Sequence, residues 1–178
     1  MKKNFLIPVI AIVVAACLLF GLTAALEGIA QKNAESVMMT TMKAMLPGSE
    51  TFVEEEYTGE DANIVTAWKG ETGFVVETKT YGYADEITML VGVCNDGTVT
   101  GLCVKDMHET FGLGFNALTD WEFLAQFLRT EGDAEVGTNI DAITGATVTS
   151  KAVARSVNSA VAFVTGADVS SGATSWGG

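Results

Sequence analysis

The chain has 178 residues, 48% of them apolar, and a formal net charge of −12 at neutral pH. That length bounds one ordinary globular domain plus a short extra element, and excludes two large domains. The acidity argues against nucleic acid as a partner, because phosphate binding needs a basic surface.

Lys2 and Lys3 precede 22 residues, 5–26, that carry no charge. A helix of that length reaches roughly 33 Å, the hydrocarbon thickness of a bilayer. Pro8 falls in its first turn, where a missing N–H costs little. Two lysines before the span, with no equivalent cluster close behind it, predict a cytoplasmic N-terminus and the remaining chain on the outer face. A cleaved signal peptide is the first alternative, but its apolar region runs only about 7–15 residues. A lipoprotein signal is the second, since VAAC at 14–17 is lipobox-like; the chain then stays apolar through residue 26, where a mature lipoprotein turns polar. The expected organisation is an uncleaved anchor over 1–28 in contact with membrane lipid, one domain over 29–166, and a Gly/Ser-rich tail over 167–178.

Residues 29–46 read as a helix. Val37, Thr41 and Ala44, with Met38, Met42 and Met45, recur at helical spacing, and Pro47-Gly48 stops the run. Its methionines suit adaptable packing better than a metal. From 51 to 104 the pattern is that of strands. Residues 72–81 are rich in β-branched and aromatic types, and 87–93 and 99–104 form a hairpin about Asp96-Gly97. A two-residue turn there sets Cys94 opposite Val99 and Cys103 opposite Leu90, too far apart along the ladder for a disulfide. Residues 108–114 form a glycine-bearing loop. Asp120 is the expected N-cap of a helix over 121–128, with Trp121, Leu124, Phe127 and Leu128 on one side. Trp68 and Trp121 read as core residues. Residues 131–141 are polar and loop-like. A last helix over 150–164 places Val153, Val157, Val161 and Val164 on one face, with Gly166 past its end. The class is α+β: an antiparallel sheet with flanking helices, behind a single transmembrane helix.

The usual catalytic patterns are missing from the sequence. It has no Gly-rich dinucleotide fingerprint and no P-loop, and no serine sits in a nucleophile elbow. The three cysteines lack C-x-x-C spacing, so the ligand patterns of iron–sulfur clusters, attached haem and thiol redox pairs are absent. His108 is the one histidine, too few for an ordinary zinc site.

One stretch stands out, DAITGATVTS at 141–150. Gly145 and Ala146 would let a ligand approach the backbone. Thr147, Thr149 and Ser150 place three hydroxyls before a helix, whose start favours a phosphate by about 0.3–1 kcal/mol at an exposed site. Read on spacing alone, such hydroxyls are usually plain helix caps.

The stretch resembles the flavinylation motif D-x-x-[ST]-G-A-T-x-T of the FMN-binding domain family. Asp141, Thr144, Gly145, Ala146, Thr147 and Thr149 match it. The resemblance implies FMN joined by a phosphoester to Thr147, installed by a separate flavin transferase. A near-copy at 168–174 ends in Thr174, but Trp176 stands where the pattern wants a second hydroxyl. The loop HETFGLG at 108–114 resembles the family's H-E-T-P-G-L-G segment, with Phe111 in place of proline. It implies flavin contacts from Glu109, Thr110 and Leu113, beside the retained Gly114. Leu46-Pro47-Gly48 and Tyr81-Gly82-Tyr83 also match in order.

Within the family, a short form with one N-terminal anchor resembles the G-type component of the Rnf ion-translocating ferredoxin:NAD oxidoreductase complex. A longer relative is the C-type component of the sodium-pumping quinone reductase. The resemblance implies an electron-relaying flavoprotein, with neighbouring membrane and peripheral subunits as partners and no complete reaction of its own. A standalone extracellular electron carrier shares the flavin. A flavin-free, membrane-anchored binding module is the reading from another class.

Overall fold

The computed structural model describes residues 3–167. Lys2 and the tail with Thr174 and Trp176 lie outside the described residues.

The first element, α1, is an α-helix over Lys3–Met45. Separate helices were expected before and after residue 28; instead the helix runs through Gly28 without interruption. Glu27, Gln31, Lys32 and Glu35 are compatible with a helical backbone whether or not they face a core. The chain divides into two compact units, Met1–Thr40 and Thr41–Gly178. Within the first, the helix contains an 18-residue stretch of mean hydropathy 1.6, long and apolar enough to cross a membrane. Leu18, Leu19, Phe20 and Leu22 are all exposed, so the apolar surface is not confined to one stripe.

In the second unit the last turn of α1 is buried at Met42 and Met45, followed by Leu46. The broad apolar face expected over 29–46 narrows to these residues, and Val37 is 66% exposed. Gly48 adopts φ +90° past the helix end, where a side chain would be strained.

Five strands follow: β1 Val53–Glu55, β2 Ile64–Lys69, β3 Gly73–Tyr81, β4 Glu86–Cys94 and β5 Val99–Met107. They pair antiparallel in chain order, so the sheet is a meander. The β4–β5 hairpin confirms Leu90 opposite Cys103 but not Cys94 opposite Val99. The turn closes from the Gly97 amide to the Cys94 carbonyl (2.9 Å), and Val99 faces Val93 instead. A three-residue loop with Gly97 at φ +91° replaces the expected two-residue turn. A bulge at Thr100 then restores the expected register from Gly92↔Gly101 to Met89↔Val104, before a second irregularity shifts it at Thr88↔Asp106. The first bulge also aims the Thr100 hydroxyl at the Met45 carbonyl, 2.8 Å away. Both cysteines are free thiols, half-buried.

Helices α2 (Gly114–Thr119) and α3 (Trp121–Ala125) follow β5, and α4 runs over Thr147–Thr165. Asp120 caps α3 as expected, accepting from the amides of Glu122 (2.8 Å) and Phe123 (3.2 Å). The buried side is only partly the expected one, since Phe127 is buried as expected but Trp121 is not. Phe123 and Phe127 are 1% and 0% exposed and meet edge to face, while Trp121 is 74% exposed and no core residue. The α4 face is as expected: Val153, Val157 and Val161 pack on Val76, Ile87, Met89, Val91 and Val93 of the sheet. Gly166 ends the helix in the left-handed conformation. Inside this layer the Thr80 hydroxyl meets Ser156 Oγ (3.0 Å) and donates to the Ala152 carbonyl (3.2 Å), so the buried polar groups of β3 and α4 satisfy each other.

Candidate functional site

The β3–β4 turn, the end of β5 and the start of α4 lie at one end of the sheet. The turn closes through the Gly82 amide to the Asp85 carbonyl (2.9 Å). From β5 the chain enters the 108–114 loop, and the Glu109 side chain turns back into the fold. Its Oε1 accepts the Ala84 amide at 3.2 Å, and its Oε2 accepts the Thr149 hydroxyl at 3.1 Å. Gly82 and Gly114 line this carboxylate, and a β-carbon at either position would overlap it. The two glycines are there for close approach, since neither has a positive φ.

The 141–150 stretch is built around a tight turn. Gln126 holds its beginning, accepting from the Asp141 amide (2.7 Å) and donating to the Asp141 carbonyl (3.2 Å). The Ala146 amide bonds the Ile143 carbonyl (2.9 Å) with Gly145 at φ +81°, as a type II turn requires at its third position. Leu113 from the neighbouring loop packs over Gly145; a β-carbon there would meet its Cδ2 at 3.1 Å. The Ser150 hydroxyl donates to the Ala146 carbonyl (2.9 Å) and accepts the Ile143 amide (3.4 Å).

The helix starts three residues earlier than expected, at Thr147, and Ala146 occupies the cap position with no side-chain cap bond. The hydroxyls therefore do not serve as caps. Thr149 and Ser150 are fully buried and bonded internally, whereas Thr147 is exposed. The first helical bond is donated by the Ser150 amide to the Ala146 carbonyl (2.8 Å). The amides of Thr147, Val148 and Thr149 thus precede the ladder, at the positive end of a 19-residue helix with no acidic residue in its first turn.

Around this point the expected residues separate by role. Ala146 is buried, while Asp141, Thr144 and Gly145 are exposed. Thr110 is exposed, and its carbonyl accepts the Leu113 and Phe115 amides, each at 3.2 Å. Gly114 is buried, and His108 is exposed. Phe111, where the resembled loop has proline, is 82% exposed with its ring 5.4 Å from that of Phe115. Leu113, Val148 and Tyr83 are also exposed. Sequence reasoning missed the supporting role of Gln126, a lone amide in a helical pattern. It also missed Arg155, which donates to the Tyr81 carbonyl at 2.8 Å; partial burial lowers its guanidinium pKa. A groove of about 400 Å³ along β5, lined by Val104, Met107, Leu118 and Leu124 among others, includes none of the expected site residues. Among the described residues no cluster of His, Cys, Asp and Glu could hold a metal ion.

The family described as FMN-binding domain matches residues 82–162, which takes in all three segments of the site. The G-type component of the Na(+)-translocating ferredoxin:NAD(+) oxidoreductase complex of Acetobacterium woodii is 36% identical over 115 residues, 60% of this chain and 53% of that protein. Its counterpart in the proton-translocating ferredoxin:NAD(+) oxidoreductase complex of Clostridium ljungdahlii is 41% identical over 99 residues, 52% and 53% of the two chains. The G-type component of the ion-translocating oxidoreductase complex of Methanosarcina acetivorans is 37% identical over 139 residues, 69% of this chain and 72% of that one. The chain thus spans about half the length of the first two relatives and nearly three quarters of the third. It belongs to the family of G-type components of ion-translocating oxidoreductase complexes, and it carries that family's FMN-binding domain.

Proposed function

We propose that this chain is an electron-relaying subunit of a membrane-bound, ion-translocating ferredoxin:NAD oxidoreductase, with FMN joined through a phosphoester to Thr147. The observation that carries the reading is the division of hydroxyls at the start of α4. Thr149 and Ser150 are buried and bonded, and Thr147 is presented to solvent. The residues fit a phosphate-linked group. The unbonded first-turn amides and the helix dipole favour its negative charge. Gly145 keeps side-chain bulk away from the approach, and Leu113 over Gly145 and Val148 next to Thr147 offer exposed apolar surface beside it.

FMN supplies the electron-transfer chemistry, while the protein supplies position and electrostatics. In this reading Thr147 anchors the phosphate, and Asp141, Thr144, Gly145, Ala146 and Ser150 shape the loop that presents it. Thr110, Leu113 and Gly114 border the cofactor from the 108–114 loop. No side chain is asked to act as a nucleophile or general acid once the flavin is attached. A flavin transferase installs it. Residues 1–28 anchor the chain in the cytoplasmic membrane with the N-terminus inside, and the domain over 29–166 works on the outer face beside the other subunits. Visible flavin absorbance that survives denaturation and washing, together with co-purification of the neighbouring subunits, is the expected result. Washed protein without flavin contradicts the cofactor reading, and flavin-bearing protein that purifies alone points to a free-standing carrier.

A further inference from the structure

We infer that Glu109 is a positioning residue, and that its bond to Thr149 is a clasp that sets the direction in which Thr147 is presented. The inference rests on the proposed attachment at Thr147 and assigns a different task to the neighbouring motif residues.

Glu109 spends both carboxylate oxygens inside the protein. One holds the Ala84 amide at 3.2 Å and the other the Thr149 hydroxyl at 3.1 Å. One side chain thereby joins the β3–β4 turn, the 108–114 loop and the first turn of α4. The space is fitted to it, because a β-carbon at Gly82 or Gly114 would overlap the carboxylate. Thr149 is 0% exposed, so its hydroxyl is committed inward. Two residues along an α-helix turn through about 200°, which puts positions 147 and 149 on opposite sides. Fixing Thr149 inward therefore turns Thr147 outward and fixes the rotation of α4 about its own axis. The second hydroxyl of the motif is on this account a lock on the fold and makes no contact with the cofactor. Hydrogen bonds to a charged acceptor are the stronger kind, and a buried partner left unpaired is costly to the fold.

The test uses the full-length chain in detergent, flavin-free, with Thr149→Ser, Thr149→Val and Glu109→Gln variants. Hydrogen–deuterium exchange is followed over 82–86 and 143–149, with 87–93 as an internal control. Each protein is then incubated with flavin transferase and its flavin donor, and covalent flavin per chain is followed in time. Thr149→Ser keeps the hydroxyl and should match the parent in both readouts. Thr149→Val and Glu109→Gln should each speed exchange in both segments but not in the control, and slow flavin incorporation by about tenfold. The flavin that is incorporated should keep the parent's absorption maxima and reduction potential. Unchanged exchange in Thr149→Val overturns the clasp. A shifted potential in Glu109→Gln without one in Thr149→Val also overturns it, because Glu109 would then touch the cofactor. A parent chain that accepts no flavin defeats the attachment reading instead, and the exchange data still decide the clasp.

Discussion

Leu113 closes over Gly145, its Cδ2 3.1 Å from where a β-carbon on that glycine would lie. The contact joins the two loops that the sequence marks as motifs, at the one turn residue with φ +81°. Gly145→Ala therefore meets two obstacles, a backbone conformation that costs an L-residue about 1–2 kcal/mol and a neighbour that must shift. It should lower unfolding free energy by roughly that amount and reduce flavin incorporation. Chemical denaturation with m unchanged measures the first effect. Unaltered stability would show that the turn does not need its glycine.

The end of α1 lies directly on the sheet over Gly92 and Gly101. A β-carbon at Gly92 would stand 2.6 Å from the Met45 carbonyl oxygen, and one at Gly101 2.7 Å from Met45 Cα. These neighbours are backbone and cannot swing aside. Gly92→Ala should destabilise by about 1–3 kcal/mol, the usual cost of overpacking. Thr100→Val, which removes only the hydroxyl bond to Met45, should cost about 1 kcal/mol. Thermal unfolding of the two variants should rank them in that order; the reverse order contradicts the packing account.

Around α3, spacing puts Trp121 and Phe127 on one side, while the structure buries Phe127 with Phe123 and leaves Trp121 exposed. Phe127→Ala should cost about 3–5 kcal/mol, and Trp121→Ala should stay within about 0.5 kcal/mol. Equal losses in denaturant titrations would return Trp121 to the core.

Acid sensitivity has a named contributor at Glu71. The Thr51 hydroxyl donates to it at 2.8 Å, and the amides of Glu50 (3.0 Å) and Thr51 (3.2 Å) add to this. These bonds hold its carboxyl below the ordinary value. A carboxyl lowered on folding adds stability above its unfolded pKa and loses it as the pH falls through the folded one. The stability difference between the parent and Glu71→Gln should therefore be largest near neutrality and shrink on acidification through the carboxylate range. Urea titrations at a series of pH values measure it, and a pH-independent difference would remove Glu71 from the account.

The strand over 72–81 and the hairpin after it are legible because β-branched runs and Asp96-Gly97 carry local signals, whereas the short β1 and β2 carry none that sets them apart within 51–71. The hairpin's detail is not legible, since a three-residue loop and the Thr100 bulge shift the register in opposite senses and cancel by Leu90↔Cys103. Spacing starts α4 at Ser150, three residues late, for a physical reason. Thr147, Thr149 and Ser150 have weak helix propensity and favour caps, and only burial of the last two pulls them into the helix. The α2 helix, six residues opening on a glycine, has no signal of its own length. In the site, the attachment motif could be read from residue types alone. The clasp could not, because Glu109 and Thr149 are 40 positions apart and nothing local pairs them.

The covalent bond at Thr147 is tested most directly by mass spectrometry of the chain isolated from its membrane, with Thr147→Ala and Thr144→Ala variants made in parallel. The predicted result is an added mass of FMN less one water on the peptide containing Thr147, kept in Thr144→Ala and lost in Thr147→Ala. An unmodified parent chain, or an adduct that persists in Thr147→Ala, would contradict it.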